Sequence, residues 1–286
     1  MGKIRDRMLA ELELRGVAEA TKKAYLMCCR LFVAHFMRSP EQLGAAETKA
    51  FILHLIRERK VSPSSVGVYV AAVRFLYRAV LRNPEAVEDL PRPKVPKRLP
   101  RVPSREEIEQ VLKAVRSVKY RTILMIAYGA GLRITEACGL HIGDVDSKQM
   151  VLHIHHAKGG KDRLVPLSSK MLSALRTYWV ETRPPGRFLF PGRLPDRPIT
   201  KDAVRKVMKR ALTEAGVKKR MTLHSLRHGF ATHLLEDGED IRVLQALLGH
   251  SHIHTTAHYA QVTSRRLRKV KSPLDALKKS RDAAAR

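Results

Sequence analysis

The sequence predicts a mainly α-helical protein with one small β-sheet: an N-terminal helical bundle followed by a C-terminal α+β domain. Three observations predict it. Apolar residues recur at spacings of three and four over most of the chain, the pattern of amphipathic helices. The clearest two-residue alternation, "MVLHIHHA" and "DRLVPLS", lies on either side of "KGGK", the pattern of a single β-hairpin. A proline-rich basic stretch then divides the chain into two segments, each long enough to bury a core.

From Lys3 to about Ala86 the helical spacing gives four segments, clearest in "AYLMCCRLFVAHF" and "VYVAAVRFLYRAVL". Thr21 is placed to cap the second helix. Breaks fall at "MRSPEQLGAAE" and "RKVSPSS", where Ser and Pro cluster before a new periodic run. Lys22, Lys23, Arg74 and Arg78 lie among these helices and are candidates for phosphate contact. Residues 1–89 are therefore read as a helical unit. Between Leu90 and Ser104 come five prolines and five basic residues, Lys94, Lys97 and Arg98 among them. Such a stretch is too proline-rich for helix and favours an extended strap, residues 90–103, able to follow a phosphate backbone.

The second domain, residues 104–272, opens at "SREEIEQVLKAV", where Ser104 and Glu107 have the spacing of a capping box. "YRTILMIAYGAGL" reads as a buried helix, "RITEACGL" as a second beginning near Thr135, and the hairpin follows. From Ser169 onward helices dominate, apart from "RFLFPG"; "TKDAVRKVMKRAL", with Lys201, Arg205 and Lys206, is the first candidate for a groove-facing helix. The tail, residues 273–286, is strongly basic.

Composition limits function. Fifty-five Lys and Arg against 27 Asp and Glu give a formal charge of +28, a self-repulsion that points to a polyanionic partner, nucleic acid before a membrane surface. The longest apolar runs fall short of the roughly 20 residues that cross a bilayer. The Met1 end alternates charge with apolar residues and lacks the apolar core of a secretory signal, so the expected location is the cytoplasm, in association with the nucleoid. Cys28, Cys29 and Cys138 match neither a disulfide framework nor a zinc ligand pair.

Four stretches carry candidate chemistry. In "GAGLRITEACGL", Arg133 follows a turn bracketed by Gly129 and Gly131; so apolar a setting demands an anionic partner, either Glu136 or Asp144 within the fold or a bound phosphate. In "HHAKGGKDR", Lys158, Lys161 and Arg163 surround two glycines, fit for phosphate contact or, for a lysine with a lowered pKa, proton donation. An ordinary solvated hairpin tip is the alternative. In "LHSLRHGFATHLL", His224 and Arg227 project from one helix face. The spacing of His224, His228 and His233 does not form a zinc motif, and His233 is expected to pack along its helix with Leu234 and Leu235. In "LLGHSHIHTTAHYA", Gly249 is placed for a left-handed helix cap, with His250 beyond it and Tyr259 on a turn or short helix capped by Thr255. A tyrosine's ordinary pKa near 10 leaves roughly 0.1% phenolate at neutral pH, a penalty of about 4 kcal/mol that guanidiniums can reduce.

Taken in order, "GAGLRITE", "KGGKDR", "HSLRHGFATHLL", "LLGHS" and "TTAHYA" resemble the tyrosine recombinase (phage integrase) family, and within it the Xer-like members, over essentially the whole chain. The resemblance implies that Arg133 and Arg227 grip the scissile phosphate, that Tyr259 attacks phosphorus, and that Lys158 protonates the departing 5′ oxygen. His224 and His250 would assist by hydrogen bonding and proton transfer, with Glu136 as a supporting acid. It implies no cofactor and no metal. The implied partner is double-stranded DNA with inverted half-sites, bound by a dimer per site and a tetramer in the synapse, with the N-terminal bundle and catalytic domain clamping the duplex. The same chemistry also fits a type IB topoisomerase, and a non-catalytic DNA-binding protein is the other alternative. His252, His254 and His258 receive no role.

Overall fold

The computed structural model describes residues 2–91, 93–94, 102–155 and 162–249. The chain divides into two compact units, Met1–Arg98 and Leu99–Arg286. As expected from the periodicity, both are chiefly helical, and among the described residues a single small sheet lies in the second.

The first unit contains helices α1 (Gly2–Leu14), α2 (Glu19–Phe36), α3 (Ala45–Arg57) and α4 (Pro63–Phe75), the last continued by a π-helical turn, Leu76–Val80. Thr21 is not the cap of α2. The helix already begins at Glu19, with Ala18 at the cap position and no side-chain cap bond, because residues 21 and 22 hydrogen-bond back to the Ala18 carbonyl. The cap of α4 follows the sequence rule: Ser62 accepts from the Ser65 amide, and Pro63 occupies the first helical position, where no N–H is needed. Phe32 is the centre of the core, edge-on to Phe51 at 5.2 Å and to Tyr77 at 6.1 Å. Tyr77 is fully buried, and its hydroxyl reaches the carbonyls of Pro40 and Leu43, tying the π turn to the α2–α3 connection.

The second unit opens with α5 (Arg105–Ala114), where Ser104 and Glu107 exchange the two expected capping bonds. Helix α6 (Val118–Gly129) runs through the core, with Ile123, Leu124, Ile126 and Ala127 at most 1% exposed. It ends in a turn at Gly131, φ +62°, and α7 (Ile134–Cys138) follows. The sheet is antiparallel in the order β1 (Val145–Asp146), β2 (Val151–Ile154), β3 (Arg163–Pro166). β2 and β3 form the expected hairpin; β1, two residues long, has no alternation to announce it. Leu152 pairs with Val165 and Ile154 with Arg163, so Arg163 shares a strand face with the buried Val165.

Helices α8 (Ser169–Thr182), α9 (Lys201–Glu214), α10 (Leu223–Asp237) and α11 (Ile241–Leu248) follow among the described residues of this unit. The apolar faces of α10 and α11 meet in a cluster of Phe230, Ala231, Leu235, Leu244 and Leu248. This contact sets the end of α11 beside the start of α7. Gly249 closes α11 in the left-handed conformation (φ 61°, ψ 45°).

Candidate active site

The site is organised around one carboxylate. Arg133 precedes α7 in an extended conformation, and Glu136 turns back so that Oε2 accepts from the Arg133 amide at 2.9 Å and Oε1 from its guanidinium at 2.7 Å. Of the two internal partners open to Arg133, Glu136 is the one used. Asp144 instead accepts from the His141 amide and lies 3.3 Å from His155. A second guanidinium, Arg163 on β3, reaches both Glu136 oxygens at 2.8 and 3.2 Å and donates its Nε–H to the Leu247 carbonyl at 2.9 Å. A third, Arg227 on α10, lies with Nη1 3.9 Å from Glu136 and donates to the carbonyls of Gly131 (2.8 Å) and Leu248 (2.6 Å).

This is an unusually dry place for so many charges. Arg227 is 1% exposed and the side chains of Glu136 and Arg163 are 8% and 9% exposed, whereas that of Arg133, at 25%, opens to solvent. Burial pushes Glu136 toward protonation, but hydrogen bonds from Arg163 and Arg133, with the charge of Arg163, prevail and hold its carboxyl below the ordinary value. Among the described residues one anion therefore serves three cations, leaving a net positive cluster whose natural additional ligand is an anion.

His224 enters from the first turn of α10, one turn before Arg227 and edge-on to His228 at 4.3 Å. Desolvation, then the charges of Arg227 and Arg133, push its pKa below the ordinary 6.5, so the ring is neutral at pH 7. A neutral imidazole beside two guanidiniums has one nitrogen to donate and one to accept. His233 is not simply packed among leucines: its Nδ1 lies 2.9 Å from the Tyr128 hydroxyl, a partner across α6 that helical spacing cannot reveal. Among the described residues no group of three or more His, Cys, Asp or Glu is gathered to hold a metal ion.

The structure thus brings Arg133, Glu136, Arg227 and His224 together. Lys158, Lys161, His250, Tyr259, Lys97 and Arg98 lie outside the described residues. Arg163, expected to contact phosphate, is directed inward to Glu136 and Leu247 because it occupies the core face of β3. The register that pairs Arg163 with Ile154 and Val165 with Leu152 puts it there. Among the other basic candidates, Lys22 is paired with Glu19 at 2.6 Å and Arg74 donates to the Leu90 carbonyl. Lys23, Arg78, Lys94, Lys201 and Arg205 are exposed, Arg205 in a surface pair with Asp202.

The model of the Phage integrase family matches residues 102–266, and that of the phage integrase N-terminal SAM-like domain matches residues 4–86. The chain belongs to the phage integrase family. Within this family it is 40% identical over 278 residues to a Sinorhizobium fredii protein provisionally named an integrase/recombinase, covering 97% of this chain and 90% of the relative. It is 37% identical to tyrosine recombinase XerA of Thermococcus onnurineus, covering 90% of each chain. The fold superposes on a crystal structure of XerA recombinase (TM-score 0.54, 25% identity, 94% of this chain and 96% of that one). It also superposes on a lambda integrase dimer bound to a COC′ core site (TM-score 0.73, 19% identity, 89% and 96%), a likeness of fold. The integrase family member described here is accordingly a tyrosine recombinase of Xer-like type.

Proposed function

We propose that this recombinase breaks and rejoins DNA at specific sites through a 3′-phosphotyrosine link on Tyr259. The observation that carries the reading is the cluster of Arg133, Arg227 and His224 around Glu136, an anion-binding site with the group types that phosphoryl transfer needs. The two guanidiniums neutralise charge developing on the nonbridging oxygens of the scissile phosphate, each worth about 3 to 4 kcal/mol by analogy with oxyanion-hole donors. Tyr259 attacks phosphorus while Lys158 protonates the departing 5′ oxygen, and His224 and His250 hydrogen-bond the phosphate and move protons. The phosphodiester energy remains in the tyrosyl ester, so attack by a 5′ hydroxyl reseals a strand without a nucleotide cofactor. Glu136 keeps the arginines in place.

The partner is duplex DNA. A dimer occupies two inverted half-sites, and two dimers form a tetrameric synapse that exchanges strands in two steps. Residues 1–89 serve as a DNA-binding unit, with Lys23 and Arg78 facing phosphates. Residues 90–103 form a basic strap with Lys94, Lys97 and Arg98, and residues 104–272 form the catalytic domain, with Lys161, Lys201 and Arg205 as further contacts. Residues 273–286 form a basic tail. No helix among the described residues is long and apolar enough to cross a membrane; the expected setting is the nucleoid.

The test uses a duplex nicked close to the cleavage position, so that the released fragment diffuses away and the covalent adduct accumulates. An adduct that is absent from Tyr259→Phe and insensitive to a chelator is expected. One that persists in Tyr259→Phe excludes Tyr259 as the nucleophile, and loss in chelator excludes a metal-independent reaction.

A further inference from the structure

The proposed mechanism uses two arginines, yet the structure gathers three around Glu136, two of them bonded to it. A carboxylate offers about four lone-pair positions, and here all four are filled: Oε1 by Arg133 and Arg163, Oε2 by the Arg133 amide and Arg163. Arg163 alone takes two of them. Arg227 remains at 3.9 Å, outside hydrogen-bonding distance of Glu136, with Nη1 and Nη2 on the Gly131 and Leu248 carbonyls.

Were Arg163 absent, two acceptor positions would open on a buried anion with Arg133 and Arg227 as the nearest cations among the described residues. In so dry a setting an unfilled carboxylate position is costly, and a guanidinium that can rotate toward it will do so. Any turn of either arginine toward Glu136 withdraws N–H groups from the place where phosphate would sit. Arg163 also fixes the end of α11, through Leu247 on its Nε; a side chain at Gly249 would come within 3.2 to 3.4 Å of its guanidinium arm. Its neighbour Leu248 is the acceptor for Arg227, so one strand residue sets both the anion and the helix end against which Arg227 is aligned.

We propose that Arg163 is a positioning residue: by occupying both oxygens of Glu136 and the Leu247 carbonyl, it keeps Arg227 from closing on Glu136 and limits the Arg133 guanidinium to the single bond it already makes to Oε1, so that both arginines stay aligned toward the scissile phosphate. This rests on the recombinase reading given above. It assigns Arg163 no contact with DNA, in contrast to the basic residues of the exposed surfaces.

The experiment measures single-turnover adduct formation and half-site affinity on nicked duplexes that the wild-type protein selects from a randomised library. Arg163→Met is expected to slow adduct formation about 10- to 100-fold, the effect of a small misplacement of catalytic groups, with half-site affinity unchanged. Arg163→Lys should be intermediate, since it keeps the charge but loses the fork. The decisive variant is Arg163→Met combined with Glu136→Gln. With the carboxylate neutralised there is nothing to draw the arginines in, so the double variant should form adduct faster than Arg163→Met alone. It is also the variant to use if Arg163→Met does not fold, then compared with Glu136→Gln alone, to which it should be nearly equal in rate. A methylphosphonate at the scissile position, which lacks one charged oxygen, should shrink the deficit of Arg163→Met or, failing that, Arg163→Lys. A deficit equal on charged and neutral linkages, or one that appears as lost DNA affinity, overturns the proposal. Additive losses in the double variant do the same. Absence of adduct with the wild-type chain overturns the recombinase reading, whereas a wild-type adduct with unimpaired Arg163 variants overturns only the role of Arg163.

Discussion

Replacing Gly131 by alanine tests how closely the fold and the arginine cluster depend on each other. Gly131 has φ +62°, and a Cβ built on it lies 2.3 Å from Phe230 Cδ1 and 2.5 Å from Cε1. The left-handed conformation costs a non-glycine residue about 1–2 kcal/mol. Forcing the Phe230 ring out of its packed position, against the α10–α11 cluster, adds about 1–3 kcal/mol. A loss near the middle of that range, about 3 kcal/mol, lowers the melting temperature of a unit of this size by about 6–12 °C. Trp179 in α8 is the chain's single tryptophan, so its fluorescence follows the second unit alone. Gly143→Ala is the control: nothing lies within 4 Å of its added Cβ and its φ is not positive, so its melting temperature should match the wild type. Because the Gly131 carbonyl accepts from Arg227, adduct formation by Gly131→Ala should also fall at temperatures where the protein is still folded. Equal melting of Gly131→Ala and Gly143→Ala would refute the packing argument.

Two further outcomes concern protons. Glu136→Gln removes the anion shared by three guanidiniums and should cost about 3–5 kcal/mol at neutral pH. Since the folded carboxyl lies below its ordinary 4.5, that contribution is complete above the ordinary value and is lost as pH falls through the folded one, so wild type and variant should converge in acid. Urea unfolding followed by Trp179 at pH 7 and pH 3 measures this, and a constant gap would contradict it. For His224, whose pKa is lowered, the unfolded chain binds more protons between the folded value and 6.5, so stability rises with pH across that window. An NMR titration of the imidazole without DNA should give a midpoint below 6.5 that moves up in Arg133→Gln; a midpoint at or above 6.5 in the wild type would sink the assignment.

Much of the architecture was legible because it rests on local rules. The Ser104 and Glu107 capping pair, the Ser62–Pro63 start of α4 and the left-handed cap at Gly249 are each set by a few consecutive residues, and each stands where the pattern put it. Thr21 does not cap α2, since a good cap residue signals a possible start and not the actual one, and the Ala18 carbonyl begins the ladder a turn earlier. The pairing of Arg133 with Glu136 was one of two partners the sequence allowed, and three-residue spacing at a helix start favours it. The inward direction of Arg163 has no such local signal. In "DRLVPLS" both Leu164 and Val165 are apolar, so alternation does not say which faces the core, and only the register with Ile154 decides that Val165 and Arg163 do. The contact of His233 with Tyr128 spans 105 residues and has no local signal.

The burial of Arg227 has a consequence for how such a chain can change over generations. A residue that grips substrate from the surface can be lost at little harm to the fold, but Arg227 holds the Gly131 and Leu248 carbonyls from a position almost closed to water. A descendant that gave up strand cleavage and kept only an affinity for DNA would be free to lose a nucleophile long before it could lose this arginine or the carboxylate beside it. Arg227 and Glu136 retained in a distant relative therefore testify first to an intact fold.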